Sequence, residues 1–192
     1  MNILIACEES GTVRDAFIKK GHNAISCDLL DTSNPGPHII GDVIPILKMK
    51  WDIIIAHPPC TYLCNSGVSH LKDNLIRQFK MDMAVKFFNK LLHAKCEKVC
   101  VENPIPHKYG LGKTYAQLIQ PWMFGHMETK ATCLWLRGLP KLEPTNNVKE
   151  EMLKLPKSKI QRIHYLSPGP NRARLRSKTY QGIADAMAKQ WG

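Results

Sequence analysis

The chain has 192 residues, 44% of them hydrophobic and 22% charged, which excludes a disordered polyelectrolyte and suffices for one domain with a buried core. No stretch approaches the roughly eighteen apolar residues of a membrane-spanning helix, and the amino terminus lacks a signal-peptide pattern. A formal net charge of +11 points to a polyanionic partner, most simply nucleic acid.

Met1–Ala6 opens with a strand pattern over Ile3–Ala6. Gly11 introduces a helical stretch, Thr12–Lys20, with Val13, Ala16 and Phe17 on one face, and Gly21 marks its end. Asn23–Cys27 reads as a second strand that ends at Asp28. Ser33–Pro37 is a loop by composition, followed by Gly41-Asp42-Val43. Asp52–Ala56 is a strongly apolar strand and His57–His70 a polar loop. Leu75–His93 is the longest helical pattern, with Phe79, Met83, Phe87, Phe88, Leu91 and Leu92 spaced for one buried face. Lys98–Val101 reads as a strand, Lys113–Ile119 as a short helix, Lys130–Leu136 as a strand in a hairpin, and Thr179–Trp191 as a closing helix. Strands alternating with helices predict an α/β fold with a doubly wound, mostly parallel sheet covered on both faces.

Seven cysteines form no regular disulfide framework, so they are read as reduced, in a cytoplasmic setting. Cys60/Cys64 and Cys96/Cys100 lack a second ligand pair at zinc-finger spacing, so no metal site is expected. Cys7, Cys27, Cys96, Cys100 and Cys133 lie in apolar runs and read as small core residues; Trp51, Trp122 and Trp135 read as core too. Cys64 reads as a neutral loop residue.

Two strand ends carry chemistry. His57-Pro58-Pro59-Cys60 follows one apolar run, and Glu102-Asn103-Pro104 follows another. Open α/β sheets bind ligands at the carboxyl ends of their strands. A thiol beside a carboxylic acid there suggests covalent catalysis on an electrophilic carbon. From Leu153 to Ala184 there is no Asp or Glu, while Arg172, Arg174 and Arg176 alternate. In an extended segment these three would share one face and track a phosphate backbone.

With these residues the chain resembles the DNA cytosine-5 methyltransferases, and in size their short phage- or prophage-type members. The likeness runs over nearly the whole chain, in family order. Pro58-Pro59-Cys60 resembles the nucleophile loop, and Glu102-Asn103 the Glu-Asn element. Ser10-Gly11 resembles a reduced cofactor loop, flanked by Glu8 and Glu9. Asp28 matches the acid that binds the cofactor ribose, and Gly41-Asp42-Val43 the element whose Asp reaches the adenine amine. Phe124-Gly125 with Lys130 and Thr132 resembles the element that brings basic residues to the base. Gln181-Gly182-Ile183 resembles the carboxyl-terminal piece that returns to the cofactor site.

The resemblance implies a Rossmann-like methyltransferase fold with S-adenosylmethionine as cofactor, held by Ser10, Gly11, Asp28, Asp42 and Pro58. It implies Cys60 as the nucleophile at cytosine C6 and Glu102 as the acid at N3, where a raised pKa would help. Asn103, Lys130, Arg172 and Arg174 would meet DNA. Lys130 stands where the family usually has arginine, and so acts only as a point charge. Larger members insert a substantial target-recognition region; here only Leu139–Asn171 is available. A single-stranded or flipped-out cytosine would suit so small a protein. The same chemistry on RNA or a pyrimidine nucleotide remains open, as does a catalytically idle nucleic-acid-binding protein of this fold. Amino-methylating enzymes fit less well, because their Pro-Pro loop has no nucleophile.

Overall fold

The computed structural model describes residues 1–192. Seven strands form one sheet: β1 (Asn2–Ala6), β2 (Asn23–Asp28), β3 (His38–Ile40), β4 (Ile53–Ala56), β5 (Lys98–Pro104), β6 (Gln117–Ile119) and β7 (Thr132–Arg137). The helices are α1 (Thr12–Lys19), α2 (Val43–Ile46), α3 (Leu75–Leu92), α4 (Lys149–Leu153), α5 (Lys157–Ile160), α6 (Arg172–Ser177) and α7 (Gln181–Gln190). The strand order is β3-β2-β1-β4-β5-β7-β6. β1 to β5 pair in parallel, and β7 runs antiparallel to both its neighbours. The result is the expected doubly wound, mostly parallel α/β sheet, with β7 as its one reversed strand.

The apolar runs fall where the sheet is covered on both faces. Ile3–Ala6 of β1 and all four residues of β4 have no exposed surface. Side chains alternate across the sheet, so each strand feeds two cores. Ile3, Ile5, Ile53, Ile55 and Cys100 pack with Phe17 of α1 and with Ile183 and Met187 of α7. Leu4, Ala6, Ile54, Ala56, Val99 and Val101 pack with Phe88 and Leu91 of α3. Trp135 joins the second core edge-on to Phe88, with ring centroids 4.9 Å apart. Trp51 and Trp122 are only half-buried.

Two expected elements differ. The helix expected over Lys113–Ile119 is instead the strand β6. Gln117 pairs with Leu134 of β7, and its side-chain amide also bridges the backbone N–H and carbonyl of Leu142. Those tertiary hydrogen bonds outweigh a weak helical preference. On α3 the expected apolar face is rotated: Phe79 is 65% exposed and Met83 50%, whereas Met81, Phe88 and Leu91 are buried. Leu75 and Ile76, in the first turn of α3, are exposed too. No helix is long and apolar enough to cross a membrane.

Gly182 opens α7 against the loop after the turn Pro121–Met123. Its N–H donates to His126 Nε2 at 2.9 Å, and a Cβ at this position would overlap the Phe124 carbonyl oxygen. The two stretches Phe124-Gly125 and Gln181-Gly182-Ile183 are therefore neighbours in space. Gly182→Ala is expected to destabilise the fold by about 2 kcal/mol through this overlap. That corresponds to a fall of roughly 4–8 °C in the thermal midpoint by circular dichroism; an unchanged midpoint would show that the loop yields freely.

Candidate active site

The carboxyl ends of β2, β1 and β4 lie side by side in the sheet. In the first turn, Glu8 is buried rather than an exposed loop acid: its carboxylate accepts the N–H of Val13 at 2.7 Å and of Arg14 at 3.2 Å, and the Ser10 hydroxyl at 3.2 Å. Gly11 turns the chain into α1 with φ 70°, and Ser10 Oγ accepts the Thr12 N–H. The amino terminus of α1 thus already holds an anion from its own chain. A dinucleotide's pyrophosphate would need that place.

Asp28 ends β2 and Asp42 caps α2, each holding one nearby N–H (Leu30 and Ile44) at 3.0 Å. Both carboxylates approach Cys7, which lies at φ 58° and is only half-buried, unlike the fully buried Cys27, Cys100 and Cys133. Burial first, then the charges of Asp28 and Asp42, push the Cys7 thiol up to about 12. Acceptor-only carboxylates thus stand at these strand ends, and Glu8 leaves no free phosphate site at the start of α1. These residues fit an uncharged or cationic nucleoside. Pro58 is buried directly after β4.

Arg14 ties α1 to the loop that follows β2. It is wholly buried although it sits on a helix. Its guanidinium donates to Ser26 Oγ, Thr32 Oγ1 and the Asn34 carbonyl at 2.8–3.3 Å, and pairs with Asp15. It thereby pins the 29–37 loop beside the end of β2.

The strand register creates the second part of the site. Ala56 of β4 pairs with Val101 of β5, so the next residues, His57 and Glu102, lie side by side. His57 Nδ1 is 3.0 Å from Glu102 Oε2, with the side chains 8% and 13% exposed. His57 Nε2 is buried without a partner. Thr132, Tyr180, Ile183 and Met187 close the same pocket, together with Lys130, whose Nζ donates to the Lys178 carbonyl at 3.0 Å. The pocket holds about 10 Å³, room for one water.

Electrostatics departs from expectation at both reactive groups. Burial alone would raise the Glu102 pKa, but the His57 hydrogen bond and charge, helped by Lys130, outweigh it and hold the carboxyl below its usual value. Cys60 is half-buried on the loop after β4, three residues past His57, within range of the charges of Glu102 and Lys130. The Cys64 sulfur beside it, burial and the Glu102 charge all push its thiol up. Cys64 is therefore not a neutral bystander. Cys60 and Cys64 lie one turn apart, the Cys64 N–H donating to the Cys60 carbonyl at 3.0 Å. Facing the Cys60 thiol and, at 3.1 Å, the Ser66 hydroxyl, Cys64 is pulled down to about 5.

The thiolate is the alkylated form. In the free protein iodoacetamide is therefore expected to label Cys64 before Cys60, at a rate that holds through neutrality and falls only as pH drops through about 5. Peptide mass mapping checks the order; labelling of Cys60 first would reverse this assignment.

Asn103 does not join Glu102. Adjacent strand residues face opposite ways, and Asn103 is wholly buried on the α3 side, its Nδ2 on the Pro104 carbonyl at 2.6 Å and its Oδ1 without a partner. The basic arm also differs: Arg172, Arg174 and Arg176 lie on α6, not in an extended segment. On a helix, residues two apart point about 200° apart, so the three do not share a face. Arg172 donates to the Leu166 carbonyl at 2.8 Å, Arg174 pairs with Glu9 at 3.6 Å, and Arg176 comes near Lys130. The Leu139–Asn171 segment reaches the pocket wall through Arg162, which binds Glu128, which in turn accepts the Tyr180 hydroxyl at 2.8 Å.

His57 and Tyr180 were not legible as site residues. Each is brought in by pairing across the fold, and only the position of His57 directly before Pro58-Pro59-Cys60 could have marked it.

No protein-family model matches the chain, and no curated protein matches it. Among solved structures, one similar fold is that of a prophage-encoded E. coli protein carrying the provisional description of a DNA modification methyltransferase. It is 14% identical, with a TM-score of 0.49 over 81% of this chain. The chain spans 55% of that protein's length.

Proposed function

We propose that the protein transfers a methyl group from S-adenosylmethionine to C5 of cytosine in DNA, through a covalent bond between Cys60 and C6. The observation that supports this reading is the pocket shared by His57, Glu102 and Lys130, with Cys60 three residues past His57 on the loop after β4. The cofactor supplies an activated methyl group.

The protein's own groups supply the rest. Cys60, a thiol in the free protein, would give its proton to water as the base seats and add to C6 as thiolate, a charge that the Lys130 ammonium favours. Addition pushes electrons onto N3 and gives C5 the character of an enamine carbon. Glu102 lies where it can hold the exocyclic amine and share a proton with N3, the proton coming from the His57–Glu102 pair. After C5 takes the methyl, loss of its proton and departure of Cys60 restore the aromatic ring. The pocket has room for one water, so a base reaches Glu102 only after the Thr179–Tyr180 segment shifts. The +11 charge favours a polyanionic substrate over a free nucleotide.

The test is transfer of radiolabelled methyl from S-adenosylmethionine to duplex DNA, single-stranded DNA and RNA. Label recovered as 5-methylcytosine, greatest on one DNA form, supports the reading. Label on RNA alone replaces the substrate. No label, and no cofactor binding by calorimetry, leaves an idle protein of this fold.

A further inference from the structure

A groove of about 410 Å³ opens beside the nucleophile turn, lined by Tyr62, His70, Asn74, Ile76, Arg77 and Lys80, with no acidic residue among them. Its floor is tied to Cys60. The turn is closed by Leu63 and Cys64 N–H groups on the Cys60 carbonyl, and the Tyr62 carbonyl is held by the buried His107 ring at 2.9 Å. Tyr62 is two residues from Cys60, so their Cα atoms lie within about 7 Å.

The groove combines a planar surface with cations. The Arg77 guanidinium lies over the Tyr62 ring, 5.1 Å from its centroid, and Lys80 Nζ is 5.9 Å from it. Arg77 is held there by the Thr61 carbonyl at 3.2 Å, and Gly67 makes the space: a Cβ at 67 would meet the guanidinium at 2.6 Å. At the open end Ile76 is 71% exposed. An aromatic ring flanked by arginine and lysine is the chemistry that single-stranded nucleic acid requires, a stacking face for any base and a cation for its phosphate.

We propose that this groove binds the nucleotide next to the target cytosine, its base against Tyr62 and Arg77 and its phosphate at Lys80. The proposal rests on the nucleic-acid reading above and deepens it. It assigns the chain a substrate contact outside the small Leu139–Asn171 segment, and one that tolerates any flanking base.

The test is fluorescence anisotropy with a labelled ten-nucleotide single strand carrying one cytosine, and with the same strand made abasic beside that cytosine. Tyr62→Leu is expected to weaken binding of the intact strand about tenfold. Tyr62→Phe is expected to preserve it. The abasic strand should bind the natural protein about tenfold more weakly but be nearly indifferent to Tyr62→Leu. Lys80→Ala should lower the salt dependence by about one phosphate contact. Unchanged S-adenosylmethionine affinity and thermal midpoint show that the variants fold. If the natural protein binds and methylates the strand while Tyr62→Leu matches it on both strands, the subsite is refuted and the methyltransferase reading stands. If no oligonucleotide binds at all, the nucleic-acid reading falls and this inference with it.

Discussion

Cys60→Ala is expected to reduce methyl transfer by about 10⁴-fold or more while leaving cofactor affinity unchanged. Losing a covalent nucleophile removes the step that activates C5, and the remaining groups can only bind and orient. Asp28 and Asp42, the residues proposed for the cofactor, make no hydrogen bond to Cys60, so calorimetry with S-adenosylmethionine should match the natural protein. Cys64→Ser removes the sulfur that most raises the Cys60 thiol, so it should retain turnover while Cys60 becomes the more readily alkylated residue. If Cys60→Ala retains turnover and Cys64→Ser loses it, the nucleophile is Cys64 and the roles are exchanged.

The second large effect falls on the His57–Glu102 pair. Glu102→Gln keeps the size of the side chain but can neither carry charge nor donate a proton to N3. A fall in kcat of about 10²–10⁴ is expected. His57→Leu tests the pair more finely. Burial opposes the Glu102 carboxylate and His57 outweighs it, so without His57 the Glu102 pKa must rise. The limb of the kcat/KM profile that Glu102 governs should therefore move to higher pH, whichever limb it is. The same shift has a consequence for stability. A carboxyl whose folded pKa is depressed contributes stability above its unfolded value, near 4.3, and loses it as pH falls through the folded value. His57→Leu should erase this contribution, making the variant relatively weaker at neutral pH than in acid. A pH profile that superimposes on that of the natural protein would mean that the 3.0 Å contact has no electrostatic role.

Much of this molecule could be read directly from residue order. The apolar runs at Ile3–Ala6 and Ile53–Ala56 are continuous because both faces of a parallel sheet are covered, and that pattern survives in one dimension. The positions of Cys60 and Glu102 at or near strand ends were equally legible, since a strand's end is marked by where its apolar run stops. The mostly parallel α/β architecture follows from the same alternation of strands and helices.

Tertiary structure decided what depends on partners distant in the chain. His57 meets Glu102 across 45 residues because β4 and β5 align Ala56 with Val101, and that contact reverses the expected direction of the Glu102 pKa. Gln117 enters a strand because β7 offers it a ladder. Phe79 and Met83 stay exposed because α3 packs on the face that carries Met81, Phe88 and Leu91, although their own spacing is that of a buried face. Arg174 turns away from Arg172 and Arg176 once their segment coils. Glu8 occupies the end of α1 only because the turn folds it back onto Val13 and Arg14. Periodicity records which way a side chain would point; only the packed fold determines what stands opposite it, and charge and hydrogen bonding depend on that neighbour.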